Sequence, residues 1–159
     1  MACVVRALRD DELRSYIEIV NNSIMGLAAS HYAAEVIQNW LVPITDQTLT
    51  DLTMNEDHEI RLVAELRGQL AGIGALVVER SELRACYVLP SVARQGVGRA
   101  LVNEIEAVAR ANGLEHLELA ASLNAEPFYA ALGYCVRERS DVALRNGFRM
   151  DAVWMRKKL

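Results

Sequence analysis

The spacing of apolar residues changes period along the chain. Val4 to Leu8 is a short apolar run and predicts a first strand. Leu13, Tyr16, Ile17, Val20 and Ile24 then recur at steps of three and four, which predicts a helix capped by Asp10 and reaching Met25 or Gly26. Ala33, Val36, Ile37 and Trp40 share a face of a second helix, with Ser30 as its cap and Pro43 as its stop. Residues 45–55 carry Leu49 and Leu52 and read as either irregular chain or one short helix; residues 56–59 are polar loop. From Ile60 the runs become strand-like: 60–66, 70–79 and 82–89 are separated by turns at Arg67-Gly68-Gln69 and Arg80-Ser81. Such short turns predict an antiparallel meander. Val97, Leu101, Ile105 and Val108 form a helical stripe, with Arg99, Asn103, Glu106 and Arg110 opposite, and Asn112-Gly113 ends it. A strand at 116–121, a short helix at 126–132 and two strands at 134–142 and 148–156 complete the chain.

This order predicts an α+β fold with a mixed, mostly antiparallel sheet of six or seven strands flanked by helices. The strand–helix–strand passage over 82–121 supplies one parallel pair, because parallel neighbours need a crossover connection. A length of 159 residues, 52% of them hydrophobic, suits a single domain over 1–159 with a full core. The net charge is −4 and the only basic run is Arg156-Lys157-Lys158, which argues against nucleic acid or an anionic membrane as partner. Apolar runs fall short of a membrane span, and residues 1–6 lack a signal-peptide layout. Cys3, Cys86 and Cys135 show neither metal-ligand nor disulfide spacing. The expectation is a cytoplasmic protein with reduced cysteines and no metal.

Chemistry concentrates after the third meander strand. Val88-Leu89-Pro90 is followed by Arg94-Gln95-Gly96-Val97-Gly98-Arg99-Ala100. Glycines at 96 and 98 let backbone turn sharply and approach a ligand, and the helix that starts there offers unpaired N–H groups at the positive end of its dipole. That combination binds anions, phosphate above all, and Arg94 and Arg99 can add charge-assisted bonds. No Lys-Ser/Thr follows the glycines, so the loop is not a nucleotide P-loop; Leu101 replaces the third small residue of the dinucleotide fingerprint. A second stretch, Asn124-Ala125-Glu126-Pro127-Phe128-Tyr129-Ala130-Ala131-Leu132-Gly133-Tyr134, opens the last short helix.

The first stretch resembles motif A of the GNAT superfamily of N-acetyltransferases, Arg/Gln-x-x-Gly-x-Gly/Ala after a strand ending in Val-x-Pro, with Ala93 departing from the leading Arg/Gln position. The second is similar to that family's motif B, Asn-Ala-x-x-Phe-Tyr-x-x-x-Gly-Phe/Tyr. The resemblance is strong over 82–134 and only architectural before Ile60. It implies the GNAT fold, in which the parallel pair splays and acetyl-CoA enters the gap as cosubstrate. It also implies that the loop from Arg94 to Ala100 holds the pyrophosphate, and that Asn124 binds the pantetheine arm or orders its turn. The hydroxyl of Tyr129 would lie near the thioester sulfur, where a phenol can protonate or hydrogen-bond a departing thiolate. The backbone at Cys86, Tyr87 and Val88 would pair with pantetheine amides like an added strand and polarise the thioester carbonyl.

The implied reaction is transfer of acetyl from acetyl-CoA to a primary amine of a small molecule or an amino terminus, by direct attack in a ternary complex. A non-catalytic acyl-CoA sensor of the same fold, or an enzyme acting on proteins, is the alternative. The general base is the open point. Many relatives carry Glu where this chain has Ala120; Glu118, two residues earlier on the same strand face, is the expected substitute, with Glu79, His31 and Glu82 behind it. His31 and Tyr32 are candidates for the acceptor side. Val153 and Met155 on the last strand would expose an apolar patch, from which a homodimer is expected.

Overall fold

A computed structural model describes residues 3–159. The strands are β1 (Cys3–Ala7), β2 (Ile60–Leu66), β3 (Gln69–Val77), β4 (Glu82–Val88), β5 (His116–Ala121), β6 (Cys135–Ala143) and β7 (Arg149–Lys158). They form one seven-stranded sheet in the order β1-β2-β3-β4-β5-β7-β6. Every neighbouring pair is antiparallel except β4 with β5. The helices are α1 (Leu13–Ser23), α2 (Ala34–Trp40), α3 (Asp46–Met54), α4 (Val97–Ala111) and α5 (Glu126–Ala131). The segment 45–55, left open by its pattern, is helical because Thr45 caps it: its hydroxyl accepts the Thr48 N–H at 3.2 Å.

The sheet is covered on both faces. On one, Leu101 and Ile105 of α4 pack with Leu62, Leu76, Leu117 and Met155. On the other, Ile19 and Ile24 pack with Val63, Ile73 and Ile37. In β4 the register steps from Ala75↔Ala85 to Leu76↔Leu83, so Arg84 is the extra residue of a bulge. The bulge turns Arg84 and Glu82 toward the α1–α2 face and re-aims the residues after it.

Several local expectations are corrected. Asp10 caps nothing: residues 10–12 form a 3-10 turn, α1 begins at Leu13, and Glu12 reaches back to the Arg9 N–H at 2.9 Å. Ser30 does not cap α2; its hydroxyl meets His31 Nδ1 at 3.1 Å, and α2 opens at Ala33 without a side-chain cap. After α1, Ile24–Ala28 is a turn of π-helix, so the helical path runs past the expected end at Met25 or Gly26. Glu106 is not on the polar face of α4 but buried, accepting bonds from Tyr134 at 2.9 Å and Lys157 at 2.9 Å. Val153 and Met155 are each 1% exposed, inside the core. The apolar patch that suggested a dimer is therefore absent, since the α4 side of β7 faces the protein's own interior.

Candidate active site

The parallel pair is short. Glu82↔Glu118 is its one registered partnership, and the Glu118 N–H donates to the Ser81 carbonyl at 2.8 Å. Beyond that point β4 and β5 diverge and their facing edges are unpaired. Along β4 the Leu89 N–H donates to the Ala71 carbonyl at 2.8 Å, in register with Ile73↔Tyr87 and Ala75↔Ala85. Alternation in an antiparallel ladder then assigns the backbone groups of Ala85, Tyr87 and Leu89 to β3. Those of Cys86 and Val88 point into the gap. Of the three positions proposed from sequence, two thus present backbone there, and Tyr87 does not. Its ring lies on the α1–α2 side, where its hydroxyl accepts the Trp40 indole N–H at 3.2 Å.

The glycine loop sits at the end of β4. Gly96 has φ +86° and caps α4, and Arg94 has φ +64°. Positive φ at Gly96 suits only glycine well. Ala100 is the first residue whose N–H is used inside the helix, bonding Gly96 O at 3.0 Å. The N–H groups of Val97, Gly98 and Arg99 are therefore the free donors of the first turn, and Ala100 is not one of them. Arg94, Gln95, Gly96 and Arg99 are exposed. Gly98 has another reason to be glycine: a Cβ there would come within 3.0 Å of the Phe128 ring. That close approach seats α5 beside the first turn of α4, so the two sequence motifs meet across the mouth of the gap.

A cleft of about 1060 Å3 opens from the gap toward the α1–α2 face, lined by Cys86, Tyr87, Ala120, Ser122, Ala125 and Tyr129 among others. Tyr129 is 6% exposed, its ring edge-on to Phe128 at 5.0 Å and Tyr134 at 5.8 Å. Its hydroxyl makes no hydrogen bond among the described residues. Burial, with smaller contributions from Cys86, Tyr87 and Tyr134, pushes its pKa well above the ordinary phenol range, so it stays protonated. The Asn124 side-chain oxygen is buried and also without a partner. Buried acceptors are nearly always bonded, so this one is open to a donor from outside the chain, water or ligand. Two unpaired polar atoms, two free backbone edges and a helix N-terminus together fit an elongated molecule with amides, a thioester and phosphate, which is coenzyme A chemistry. Burial pushes the Cys86 thiol up to about 12, and its sulfur lies 4.0 Å from the Gly98 carbonyl, so it is not a thiolate nucleophile.

The far end of the cleft is charged, which the sequence reading missed. Glu59, Arg61, Glu82 and Arg84 line it. Arg84 bonds Glu82 at 2.8 Å and Asp57 at 2.5 Å, and Arg61 bonds Glu59 at 2.9 Å while standing over the Tyr16 ring at 5.9 Å. The available signal was period two: Glu59-x-Arg61 and Glu82-x-Arg84 each put opposite charges on one strand face. Glu118 lies outside the cleft lining, 47% exposed and 3.7 Å from Arg156. Glu79 is 76% exposed beside His58. His31 is exposed and apart from the cleft, and Tyr32 bridges other elements. Glu82 alone of the proposed bases reaches the cleft, held by Arg84.

The family sequence model described as "Acetyltransferase (GNAT) domain" matches residues 28–159. The chain belongs to the GNAT acetyltransferase family. Among solved structures it is similar to a GCN5-related N-acetyltransferase from Rhodopseudomonas palustris, with 26% identity over 100% of this chain and 97% of that one and a TM-score of 0.90. It is also similar in fold to the PaiA N-acetyltransferase of Thermoplasma acidophilum in complex with coenzyme A, at 20% identity, full coverage of both chains and a TM-score of 0.79. A phosphinothricin acetyltransferase of Sinorhizobium meliloti in complex with acetyl-CoA gives 20% identity, 100% and 89% coverage and a TM-score of 0.71. Among the described residues no helix is long and apolar enough to cross a membrane.

Proposed function

We propose that the protein transfers the acetyl group of acetyl-CoA to a primary amine of a small molecule or an amino terminus, by direct attack in a ternary complex. The observation that carries this is the unpartnered, protonated hydroxyl of Tyr129 lining the cleft at the splay of β4 and β5. Acetyl-CoA supplies the activated acyl group and a thiol leaving group. The N–H groups of Val97, Gly98 and Arg99 and the side chains of Arg94 and Arg99 hold the pyrophosphate. Cys86 and Val88 pair their backbone with the pantetheine arm, and an N–H of this edge stabilises charge gained by the thioester oxygen. Asn124 accepts a bond from the same arm.

Tyr129 donates a hydrogen bond to the departing sulfur. A thiol ordinarily titrates near 8.5 and a phenol near 10, so full proton transfer from Tyr129 to the thiolate runs uphill. The hydroxyl therefore stabilises the thiolate without giving up its proton. Asp57, Glu59 and Glu82 are each held by an arginine, so none stands free to meet the amine. The amine therefore reacts from its unprotonated form and loses its surplus proton to water in the open cleft. kcat/KM should rise with pH toward the pKa of the acceptor ammonium.

A thiol-release screen with acetyl-CoA across amines, amino acids and short peptides tests this reading. Thiol release that depends on an acceptor supports it. Coenzyme A binding without release for any acceptor would mean a non-catalytic acyl-CoA module.

A further inference from the structure

The Tyr32 hydroxyl lies between two elements distant in sequence. It accepts the Leu123 backbone N–H at 2.8 Å and donates to the Asp151 carbonyl at 2.8 Å. Leu123 belongs to the turn that joins β5 to α5, closed by the Ala125 N–H on the Ser122 carbonyl at 2.9 Å. Next to it stands Asn124, whose side-chain oxygen is buried and unpartnered. The Tyr32 ring packs edge-on against Trp40 at 5.6 Å. Trp40 in turn donates to the Tyr87 hydroxyl at 3.2 Å. A continuous chain thus runs from β4 through Tyr87, Trp40 and Tyr32 to the turn after β5 and to β7. It spans the gap where the two parallel strands have no hydrogen bonds of their own.

The geometry points to Tyr32 as a positioning residue: its hydroxyl fixes the Ser122–Ala125 turn against Asp151 of β7, and so holds the Asn124 oxygen where the acyl-coenzyme A arm is bound. This rests on the coenzyme A reading of the cleft. Without the clasp the turn is tied by its own short hydrogen bond, by β5 and by α5, whose Tyr129 N–H donates to the Ala125 carbonyl at 3.1 Å. Leu123 is 37% exposed, so water can satisfy its N–H in a Phe variant and folding is spared. What is lost is the fixed placement of Asn124. A substrate-binding role for Tyr32 would use its hydroxyl, but both hydrogen-bonding directions of that oxygen are already taken.

The test is a double-mutant cycle on coenzyme A affinity by calorimetry, with Tyr32→Phe, Asn124→Ala and the double variant. Tyr32→Phe should weaken binding about tenfold, the scale of one lost hydrogen bond, and raise KM for acetyl-CoA more than it lowers kcat. If Tyr32 acts through Asn124, the double variant binds no more weakly than Asn124→Ala alone. Additive losses, or an unchanged affinity in Tyr32→Phe, overturn the inference. Hydrogen exchange on the free protein provides an arm that needs no ligand. Amides of residues 122–125 should exchange faster in Tyr32→Phe while those of α4 keep their protection; identical exchange at 122–125 overturns the clasp. A wild-type protein that binds no coenzyme A would sink the proposed function and the ligand half of this inference. The exchange result would still decide whether the hydroxyl holds the turn.

Discussion

Replacing Tyr129 by Phe removes one oxygen from the cleft and leaves the ring in place. The ring contacts with Phe128 at 5.0 Å and Tyr134 at 5.8 Å persist, so packing is unchanged. Among the described residues the hydroxyl has no partner, so its loss orphans no donor or acceptor there, and thermal stability should stay level or rise slightly. Its whole contribution is then to the reaction. A hydrogen bond to a charged acceptor is worth about 1.5–3 kcal/mol. With tenfold in rate for every 1.36 kcal/mol or so, kcat should fall about 10- to 150-fold. Coenzyme A affinity should hardly move, because the bond to sulfur is strongest once charge develops there. The assay is thiol release under saturating acetyl-CoA with an acceptor from the screen, alongside calorimetric binding of coenzyme A. Because burial keeps the phenol protonated, the ratio of wild-type to variant rate should be flat below pH about 10, the ordinary phenol value. Wild-type turnover in Tyr129→Phe would refute the argument, as would a ratio that titrates near neutrality.

Gly96→Glu should abolish coenzyme A binding by calorimetry while the circular dichroism spectrum is retained, because Gly96 points into open space at φ +86° and a carboxylate would stand at the phosphate site; Gly98→Glu is a poorer probe, since it also displaces Phe128. Glu106→Leu should cost about 3 kcal/mol in denaturant unfolding, the low end for breaking a buried ion pair, because Lys157 keeps 24% of its side chain exposed. Adding Lys157→Met should recover much of that loss, and no recovery would show that the pair is not the cause. Hydrogen bonds from Arg6 hold the Glu12 carboxyl down at about 2 against an ordinary 4.5. The stability Glu12 contributes is therefore complete above pH 4.5 and disappears as pH falls toward 2. A Glu12→Gln variant should lose less stability than wild type over that window, and equal acid sensitivity would count against the pair.

Hydrophobic periodicity and two short motifs carried the element order, the meander, the crossover and the glycine loop that opens α4. These are local properties: strand and helix periods, a glycine that must take positive φ, and unpaired N–H groups at a helix start follow from neighbours within a few residues. Nothing local says what a helix face will meet. Glu106 reads as solvent-facing by its spacing on α4, yet it is buried because Lys157 of β7 and Tyr134 arrive beside it from elsewhere in the chain. Val153 and Met155 read as a patch in need of a partner, yet α4 and its layer already cover that side of β7. The spacing Glu82-x-Arg84 pairs the charges, but their place in the sheet depends on the Arg84 bulge, a register step between two strands that neither strand's own pattern reveals. Tyr32 meets Leu123 and Asp151 only because the sheet order places β7 beside β5 and the π turn after α1 brings the chain over both. Sequence thus determined the elements and the backbone chemistry of the loop. Tertiary structure decided which polar groups found partners, and that among the described residues the Tyr129 hydroxyl and the Asn124 oxygen did not.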